Sequence, residues 1–424
     1  MDWRRTAASV LGMSVLATAS PSPAAPPPPA TPSAIPDAFV DPETHLRVLH
    51  LSRMPNQRSG VIYFTYPSFS QDGRLALIVE QFADKWRHLY AFDFDTMTAR
   101  PLVTDRLTQD QVVAPKTGNL YYLADNAAWV TNLRGATPRK IADLPPRWSP
   151  GSGFSVNADE TLLMGASTDI DQPAAGSGDE PVESEAAIFA KHEPNVLFTI
   201  DVRSGVVKVI HRIDTWLGHV QFSPTDPGLA MFCHEGPWEQ VDRMWTIRIG
   251  QAEPTLAFKR SEPREIAGHE FWAPDGRSIW FQQTFRAQRG KSFLTGKDLS
   301  TGQLTQYTVP VGGRGIHYTW SPDGTYLLSD GTGPKGTAPG PNKYLSLLVP
   351  DGDHVRVTKL CSLQRNDYAI EPNPHASPDN RWVIFTATLF GTPQAYAVEL
   401  PPATLAAALD RSVAAAATLR PTAP

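Results

Sequence analysis

Seven copies of one short turn predict that this chain is an all-β protein folded as a seven-bladed β-propeller. Each copy resembles Ser-Pro-Asp-Gly, with a short strand before it and an apolar strand after it. The copies begin at Phe69, Ala114, Val156, Ser223, Ala273, Ser321 and Ser377. From Asp72 to Asp379 they recur about every 51 residues on average, close to the repeats of about 40 to 50 residues that form propeller blades. The length of 424 residues fits such a ring, since all-β propellers often form one large unit.

The residues before the repeats carry the signals of export and of a tether. A basic stretch, an apolar run from Ala7 to Leu16 and a small-residue site ending at Ala19 are the three parts of a secretory signal peptide. We therefore expect residues 1–19 to be removed and the protein to be periplasmic or secreted. The apolar run is too short to span a membrane. Residues 20–38 are rich in Pro, Ala and Ser, which is typical of disordered or polyproline-like linkers.

Residues 39–401 are expected to form the propeller, with four strands in most units. The last unit, from Ala376 to Leu400, supplies only three strands. We expect the segment from His45 to Leu51 to supply the fourth strand and close the ring, which removes exposed sheet edges. The acidic stretch from Thr168 to Asn195, rich in Gly, Ser and Pro, is interpreted as an insertion between strands of the third blade. Residues 402–424 form an Ala-rich tail in which we predict an accessory helix.

Composition and charge argue against several classes of protein. The formal net charge is −5, whereas nucleic-acid-binding proteins carry a basic excess, so no nucleic-acid partner is expected. Cys233 and Cys361 lie far apart and have no CxxC spacing, which indicates neither a disulfide framework nor a thiolate metal site. An anionic substrate must therefore be met by a local group of basic side chains.

Histidine occupies the same position in three consecutive repeats. The position lies five residues before the turn proline, and it holds His219, His269, His317 and, in the last repeat, Asn373. With only 11 histidines in the chain, placement by chance is improbable. The strand before the turn is the innermost one in a propeller, so these positions should ring one mouth of the central channel. The simpler alternative is that the imidazoles only form hydrogen bonds between blades.

Further basic residues are expected at the same mouth. The segment from Leu217 to Trp245 contains two strands joined by a dense turn, which puts His219 and His234 at the same edge of the sheet. Arg243 follows in the next connection. The predicted substrate-binding side chains are His219, His234, Lys85, Arg87 and Arg286. A cationic mouth on an acidic protein suits a carboxylated or phosphorylated ligand, although solvated loop residues would show a similar pattern.

The segment from Leu217 to Trp245, followed by GHEFWAPDG at residues 268–276, resembles the central part of the oligogalacturonate lyases, polysaccharide lyase family 22. The resemblance is strong over residues 216–276 and fair over the remaining blades. It implies a propeller that cleaves an acidic oligosaccharide, α-1,4-linked oligogalacturonate, by β-elimination in pectin catabolism. It also implies that His269 is the Brønsted base and that Arg243 contacts the substrate.

The same resemblance implies a manganese ion held by three histidines and a glutamine. One of these histidines matches His317, but the other two positions hold Glu371 and Asn373, and Tyr368 replaces the glutamine. His317, Glu371 and Asn373 would form an oxygen-rich site for a divalent cation, because carboxylate and amide oxygens suit Mn, Mg or Ca. Alternatively, the metal is lost and Arg243 with other basic groups takes its role.

Two other functions remain open from the sequence. Similar Ser-Pro-Asp-Gly hairpins occur in non-catalytic envelope propellers that bind ligands or proteins, and a changed pocket would suit a different uronide. A propeller hydrolase would need a pair of acids or a Ser/His/Asp set, and no GxSxG is present.

Overall fold

The computed structural model describes residues 35–52, 58–81, 87–105, 108–170, 184–251, 253–288, 290–333 and 339–410. These residues form seven antiparallel sheets arranged as a propeller, so the predicted fold is confirmed. At one end of the channel, a cavity of about 380 Å³ is lined by residues from every blade. No helix within the described ranges is long and apolar enough to cross a membrane.

The first two described strands are short and belong to the last blade, and the next three blades follow in sequence. The opening strands are β1 (Ala38–Val40) and β2 (Arg47–His50). Blade one contains β3 (Arg58–Gly60), β4 (Leu75–Gln81), β5 (Arg87–Asp93) and β6 (Thr98–Val103). Blade two contains β7 (Gln109–Val113), β8 (Asn119–Ala124), β9 (Ala127–Asn132) and β10 (Arg139–Asp143). Blade three contains β11 (Trp148–Val156), β12 (Leu162–Asp169), β13 (Asn195–Asp201) and β14 (Val207–Ile213).

The remaining blades follow the same order. Blade four contains β15 (Leu217–Phe222), β16 (Leu229–His234), β17 (Met244–Arg248) and β18 (Thr255–Leu256). Blade five contains β19 (Glu265–Trp272), β20 (Ser278–Phe285), β21 (Lys291–Asp298) and β22 (Leu304–Tyr307). Blade six contains β23 (Tyr318–Trp320), β24 (Leu327–Ser329), β25 (Tyr344–Asp351) and β26 (His354–Ser362). Blade seven contains β27 (His375–Ala376), β28 (Trp382–Ala387) and β29 (Gln394–Glu399).

The two ends of the chain close the ring in blade seven. β2 pairs with β29, with Val48 opposite Val398, and β1 pairs with the outer edge of β2. The blade therefore has five strands, in the order β1-β2-β29-β28-β27. This arrangement confirms the expected closure by the segment from His45 to Leu51 and adds a fifth strand that the sequence did not indicate.

The recurring turn is held by its own side chains. In the sixth copy, Ser321 Oγ donates to Asp323 Oδ1 at 2.7 Å and accepts the backbone N–H of Tyr326 at 3.2 Å. Gly324 has φ +71°, a left-handed conformation that glycine adopts without steric cost. The last copy has Asn380 at this position with φ 57°, because asparagine is among the few residues that tolerate this region. In these two copies the fourth residue of the motif suits the left-handed backbone conformation.

Among the described residues, two α-helices lie outside the blades. α1 (Glu185–Ala190) lies between β12 and β13, so the acidic stretch is an insertion in the third blade, as predicted. Ser184 caps it by accepting the N–H of Ala187 at 3.2 Å. α2 (Pro402–Leu409) is the start of the Ala-rich tail. The rest of that tail, the proposed signal peptide, most of the linker and residues 171–183 lie outside the described residues.

Candidate active site

His219 and His269 occupy an unusual backbone conformation at the same point of adjacent blades. Their φ angles are 49° and 55°, in the left-handed region that non-glycine residues rarely adopt. The pairing between first and second strands shifts register at this point, within residues 218–221 and 268–271. Such a β-bulge bends the strand and re-aims a side chain. Asn373, in the equivalent position of the last blade, has φ 50°. Strain that recurs at equivalent positions points to a functional constraint.

His219, His269 and His317 form one cluster that includes Tyr63. The ring centroids of His269 and His317 are 4.8 Å apart. Tyr63 lies between His317 and His219, and its ring centroid is 5.4 Å from that of His317 and 5.3 Å from that of His219. Residues far apart in the sequence thus meet in one cluster, as the position of histidine in the repeat predicted.

His269 contacts an aromatic ring and a side-chain amide. Trp238 packs edge-on against it with ring centroids 4.9 Å apart, and Nδ1 lies 3.4 Å from Gln282 Oε1. Burial, followed by the positive charges of His317 and Arg243, lowers the pKa of His269 well below its usual value. The imidazole is therefore neutral at neutral pH and can accept a proton. An Nδ1–H donated to Gln282 leaves Nε2 as the accepting atom.

Arg243 is buried, and its guanidinium is bound by a carboxylate of the protein itself. Nη1 donates to Glu235 Oε2 at 2.6 Å and Nη2 to Glu235 Oε1 at 3.3 Å. Nη2 also lies 4.0 Å from Glu270 Oε1, and the guanidinium carbon is 4.5 Å from the centroid of Trp238. The residue is only 3% exposed. The two terminal nitrogens of Arg243, which the resemblance implies contacts the substrate, are thus already used by Glu235.

Glu235 also binds His219 and changes the electrostatic character of the mouth. Its Oε1 lies 3.2 Å from His219 Nε2. Burial raises the pKa of Glu235, but the charges of Arg243 and His219 outweigh that effect and hold it well below its usual range. Burial lowers the pKa of His219 well below its usual value despite this carboxylate. The mouth is therefore a network of paired charges, whereas the sequence predicted a purely cationic one.

His317, Glu371 and Asn373 lie close together but have partners of their own. His317 is fully buried; its Nδ1 lies 2.8 Å from Asp330 Oδ2, and its Nε2 lies 3.8 Å from Glu371 Oε2. Burial lowers the pKa of His317, but Asp330 and Glu371 together raise it above its usual value. Asn373 Oδ1 accepts the N–H of Phe64 at 3.3 Å, and its Nδ2 donates to the backbone oxygen of Glu371 at 3.0 Å.

These contacts do not fit the manganese site that the resemblance implies. His317 Nε2 is buried without a hydrogen-bond partner among the described residues, as a metal ligand would be, but Glu371 is the one charged oxygen ligand beside it and Asn373 Oδ1 is already bonded to the backbone. Tyr368 donates its hydroxyl to the backbone oxygen of Asp330 at 3.2 Å. In the described part of the chain, no three His, Cys, Asp or Glu side chains are arranged to hold a metal ion.

Three of the predicted substrate-binding residues lie in other environments. His234 stacks on Trp245 with ring centroids 4.6 Å apart, and burial, followed by His211, lowers its pKa to about 4. Arg286 forms an ion pair with Glu239. Arg87 is buried at the start of β5. Lys85 lies outside the described residues.

The reason for the placement of His234 is the alternation of side chains along a strand. Cys233 and Glu235 share one face, toward Arg243, and His234 points to the other. The sequence placed His234 at the correct end of the hairpin but on the wrong face. Glu235, the next residue, is the one that reaches His219.

A cavity of about 310 Å³ opens beside His269. It extends between blades five and six, and its polar lining includes Gln282, Thr284, Ser292 and Arg314. The general base position predicted from the sequence therefore faces a space that can receive a small molecule, with several side chains able to form hydrogen bonds.

Comparisons with known proteins agree on one family. A family model for oligogalacturonate lyase matches residues 37–404. The chain is 26% identical over 361 residues to the oligogalacturonate lyase of Dickeya dadantii (strain 3937), covering 80% of this chain and 89% of that protein. It is 25% identical over 360 residues to the oligogalacturonide lyase of Pectobacterium atrosepticum, with the same coverage.

Two solved structures are similar over most of their length. The oligogalacturonate lyase of Vibrio parahaemolyticus matches with a TM-score of 0.75 and 23% identity, covering 87% of this chain and 97% of that chain. An oligogalacturonate lyase in complex with manganese matches with a TM-score of 0.73, the same identity and the same coverage. At this identity the likeness concerns the propeller fold.

Proposed function

This chain belongs to the oligogalacturonate lyase family, and on that premise we propose that it cleaves α-1,4-linked oligogalacturonate, or a closely related uronide, by β-elimination. The observation that carries the proposal is the placement of His269. A neutral imidazole, held by a bulged strand in a cluster of charged side chains, faces a cavity of about 310 Å³. This is what a general base for a carbohydrate substrate requires.

The reaction breaks two bonds on neighbouring carbons of a uronate ring. A base removes the C5 proton, a double bond forms between C4 and C5, and the C4–O bond to the departing sugar breaks while its oxygen takes up a proton. We assign the first proton transfer to Nε2 of His269, since Nδ1 faces Gln282. The carbanion-like charge spreads into the uronate carboxylate, so fixed positive charge nearby lowers the barrier. Arg243 lies beside His269 across Trp238, but its charge is paired with Glu235.

The test of this function is the release of an unsaturated product. A panel of uronides, led by oligogalacturonate, is incubated with the purified protein, and the ultraviolet absorbance of the new C4–C5 double bond is followed. Oligogalacturonate or a near relative should give a rising signal. If no uronide in the panel yields unsaturated product from folded protein, the proposal is wrong.

We also propose that manganese, which is bound in one of the two similar structures, is bound weakly or not at all by this chain. Replacing imidazoles with Glu371 and Asn373 weakens affinity for first-row metals relative to a site with three histidines. We therefore assign no step of the reaction to a metal.

Activity should depend little on added manganese, and this is directly measurable. Protein dialysed against a chelator should keep most of its kcat, and metal analysis should find well below one equivalent of manganese. His317→Ala tests the remaining nitrogen ligand: it should leave the small metal content unchanged. One tightly bound equivalent that survives the chelator and disappears in His317→Ala would contradict this interpretation of the altered residues.

Export is a further part of the proposal, supported by the three-part leader in residues 1–19. Protein recovered from the envelope or medium should have lost this leader by cleavage close to Ala19. Mass spectrometry of the intact protein checks the prediction. Recovery of a full-length species from the cytoplasm alone would overturn it.

A further inference from the structure

The cavity beside His269 has the chemical character of a sugar site that favours an anion. Its hydroxyl and amide side chains, those of Gln282, Thr284 and Ser292, suit sugar hydroxyls, and Phe293 adds an aromatic wall. Thr284 Oγ1 and Ser292 Oγ lie 3.0 Å apart and form a hydrogen-bonded pair on its side. The described residues that line the cavity include one arginine and no acidic side chain, so its electrostatic potential favours a negative group.

Arg314 is that arginine, and its guanidinium is still available to a ligand. The residue is exposed, and its Nε donates to the backbone oxygen of Val309 at 3.2 Å. No acidic side chain in the described ranges forms an ion pair with Arg314. Arg243 differs in this respect, because both of its terminal nitrogens are bonded to Glu235. Two terminal nitrogens held in a planar fork match a carboxylate.

The segment that carries Arg314 is held in place by the cluster around His317. Asp330 Oδ1 accepts the N–H groups of Ile316 and His317, each at 2.9 Å, and its other oxygen binds the His317 ring. The N–H of Gly315 donates to the hydroxyl of Tyr318 at 2.9 Å. The backbone that follows Arg314 is thus fixed by Tyr318 and Asp330. A side chain on a fixed backbone loses less entropy when it binds a ligand.

We infer that this cavity binds one uronate unit of the substrate and that Arg314 is the residue that recognises its carboxylate. The inference rests on the proposed function, since it assigns a carboxylate-binding residue to the same site. It also resolves a difficulty of that site. The guanidinium of Arg243 is already paired with Glu235, whereas that of Arg314 faces the cavity that His269 lines.

Binding without turnover tests the inference. The affinity of His269→Ala protein for trigalacturonate is measured by calorimetry, and compared with that of the His269→Ala/Arg314→Gln double variant. We expect Arg314→Gln to weaken binding of trigalacturonate by about tenfold or more, because hydrogen bonds to charged groups are the strong ones. Binding of galactotriose, the neutral sugar with the same linkage, should be equal in the two proteins. Arg277→Gln is the matched control: an exposed arginine in the turn between β19 and β20 of blade five.

The outcomes separate this inference from the function on which it rests. Suppose that the parent releases unsaturated product, but that in the His269→Ala protein Arg314→Gln binds trigalacturonate as tightly as Arg277→Gln does. The assignment of Arg314 is then wrong and the lyase proposal survives. If the parent gives no product from any uronide, the function itself fails. Equal loss of trigalacturonate and galactotriose binding would show that Arg314 shapes the cavity without recognising the carboxylate. Circular dichroism confirms that each variant is folded.

Discussion

We expect His269→Ala to lower kcat for oligogalacturonate by at least about a hundredfold with the propeller intact, since general-base catalysis contributes about 10²- to 10⁴-fold. Alanine cannot accept the C5 proton, and no other neutral imidazole in the described cluster combines the same bulged position with the cavity. The change is measured from the initial rate of unsaturated product at saturating substrate.

The backbone conformation of His269 calls for a second variant. At φ 55° an alanine is strained, whereas asparagine tolerates the left-handed region. His269→Asn should therefore fold as well as the parent and lose activity as His269→Ala does. His354→Ala, which removes an exposed histidine at the start of β26, should keep the parental rate. A near-normal kcat in folded His269→Asn would remove this residue from the role of base.

Arg243→Lys should impair activity severely even though it keeps a positive charge. Lysine cannot donate to both oxygens of Glu235 in the planar geometry that Arg243 uses, and it cannot stack its charge on Trp238 in the same way. Glu235 would be left partly unpaired in a buried site, and breaking a buried ion pair costs about 3–5 kcal/mol. We expect both kcat/KM and the melting temperature to fall, and both are measured on the same preparation.

The control for Arg243→Lys is the same substitution in an arginine–carboxylate ion pair at the surface. Arg248 and Asp226 form an ion pair at 3.0 Å with both side chains well exposed, and such pairs contribute about 0–1 kcal/mol. Arg248→Lys should therefore behave as the parent does. If Arg243→Lys also keeps parental activity and melting temperature, the network of Arg243 and Glu235 is not needed for the reaction.

The ring of histidines was predictable because histidine recurs at one offset from the turn proline in three consecutive repeats. The turn proline, the bulge and the inward-facing residue keep a fixed spacing in blades four and five, so counting back from Pro224 and Pro274 reached His219 and His269. In blade one the turn has no proline, and the same count reached Tyr66. The structure instead puts Tyr63, three residues earlier, between the histidines.

The partners of these histidines could not be found in this way. Asp330 follows β24 and Arg314 precedes β23, and neither lies at a repeated position or in a motif. Glu235 was recognisable only through the alternation of side chains next to His234. Which carboxylate pairs with Arg243 depends on the packing between strands, so the sequence predicted basic side chains at the mouth but not the carboxylate that pairs with them.

The pairing of β2 with β29 has a consequence for the order in which the chain can fold. Val48 meets Val398, ~350 residues later, so β2 can pair only with β1 until β29 has been synthesised. Contacts of such large sequence separation form late and slowly. Until β29 forms, the blades remain an open row. Ring closure, and with it resistance to proteases, follows only after β29 has paired with β2.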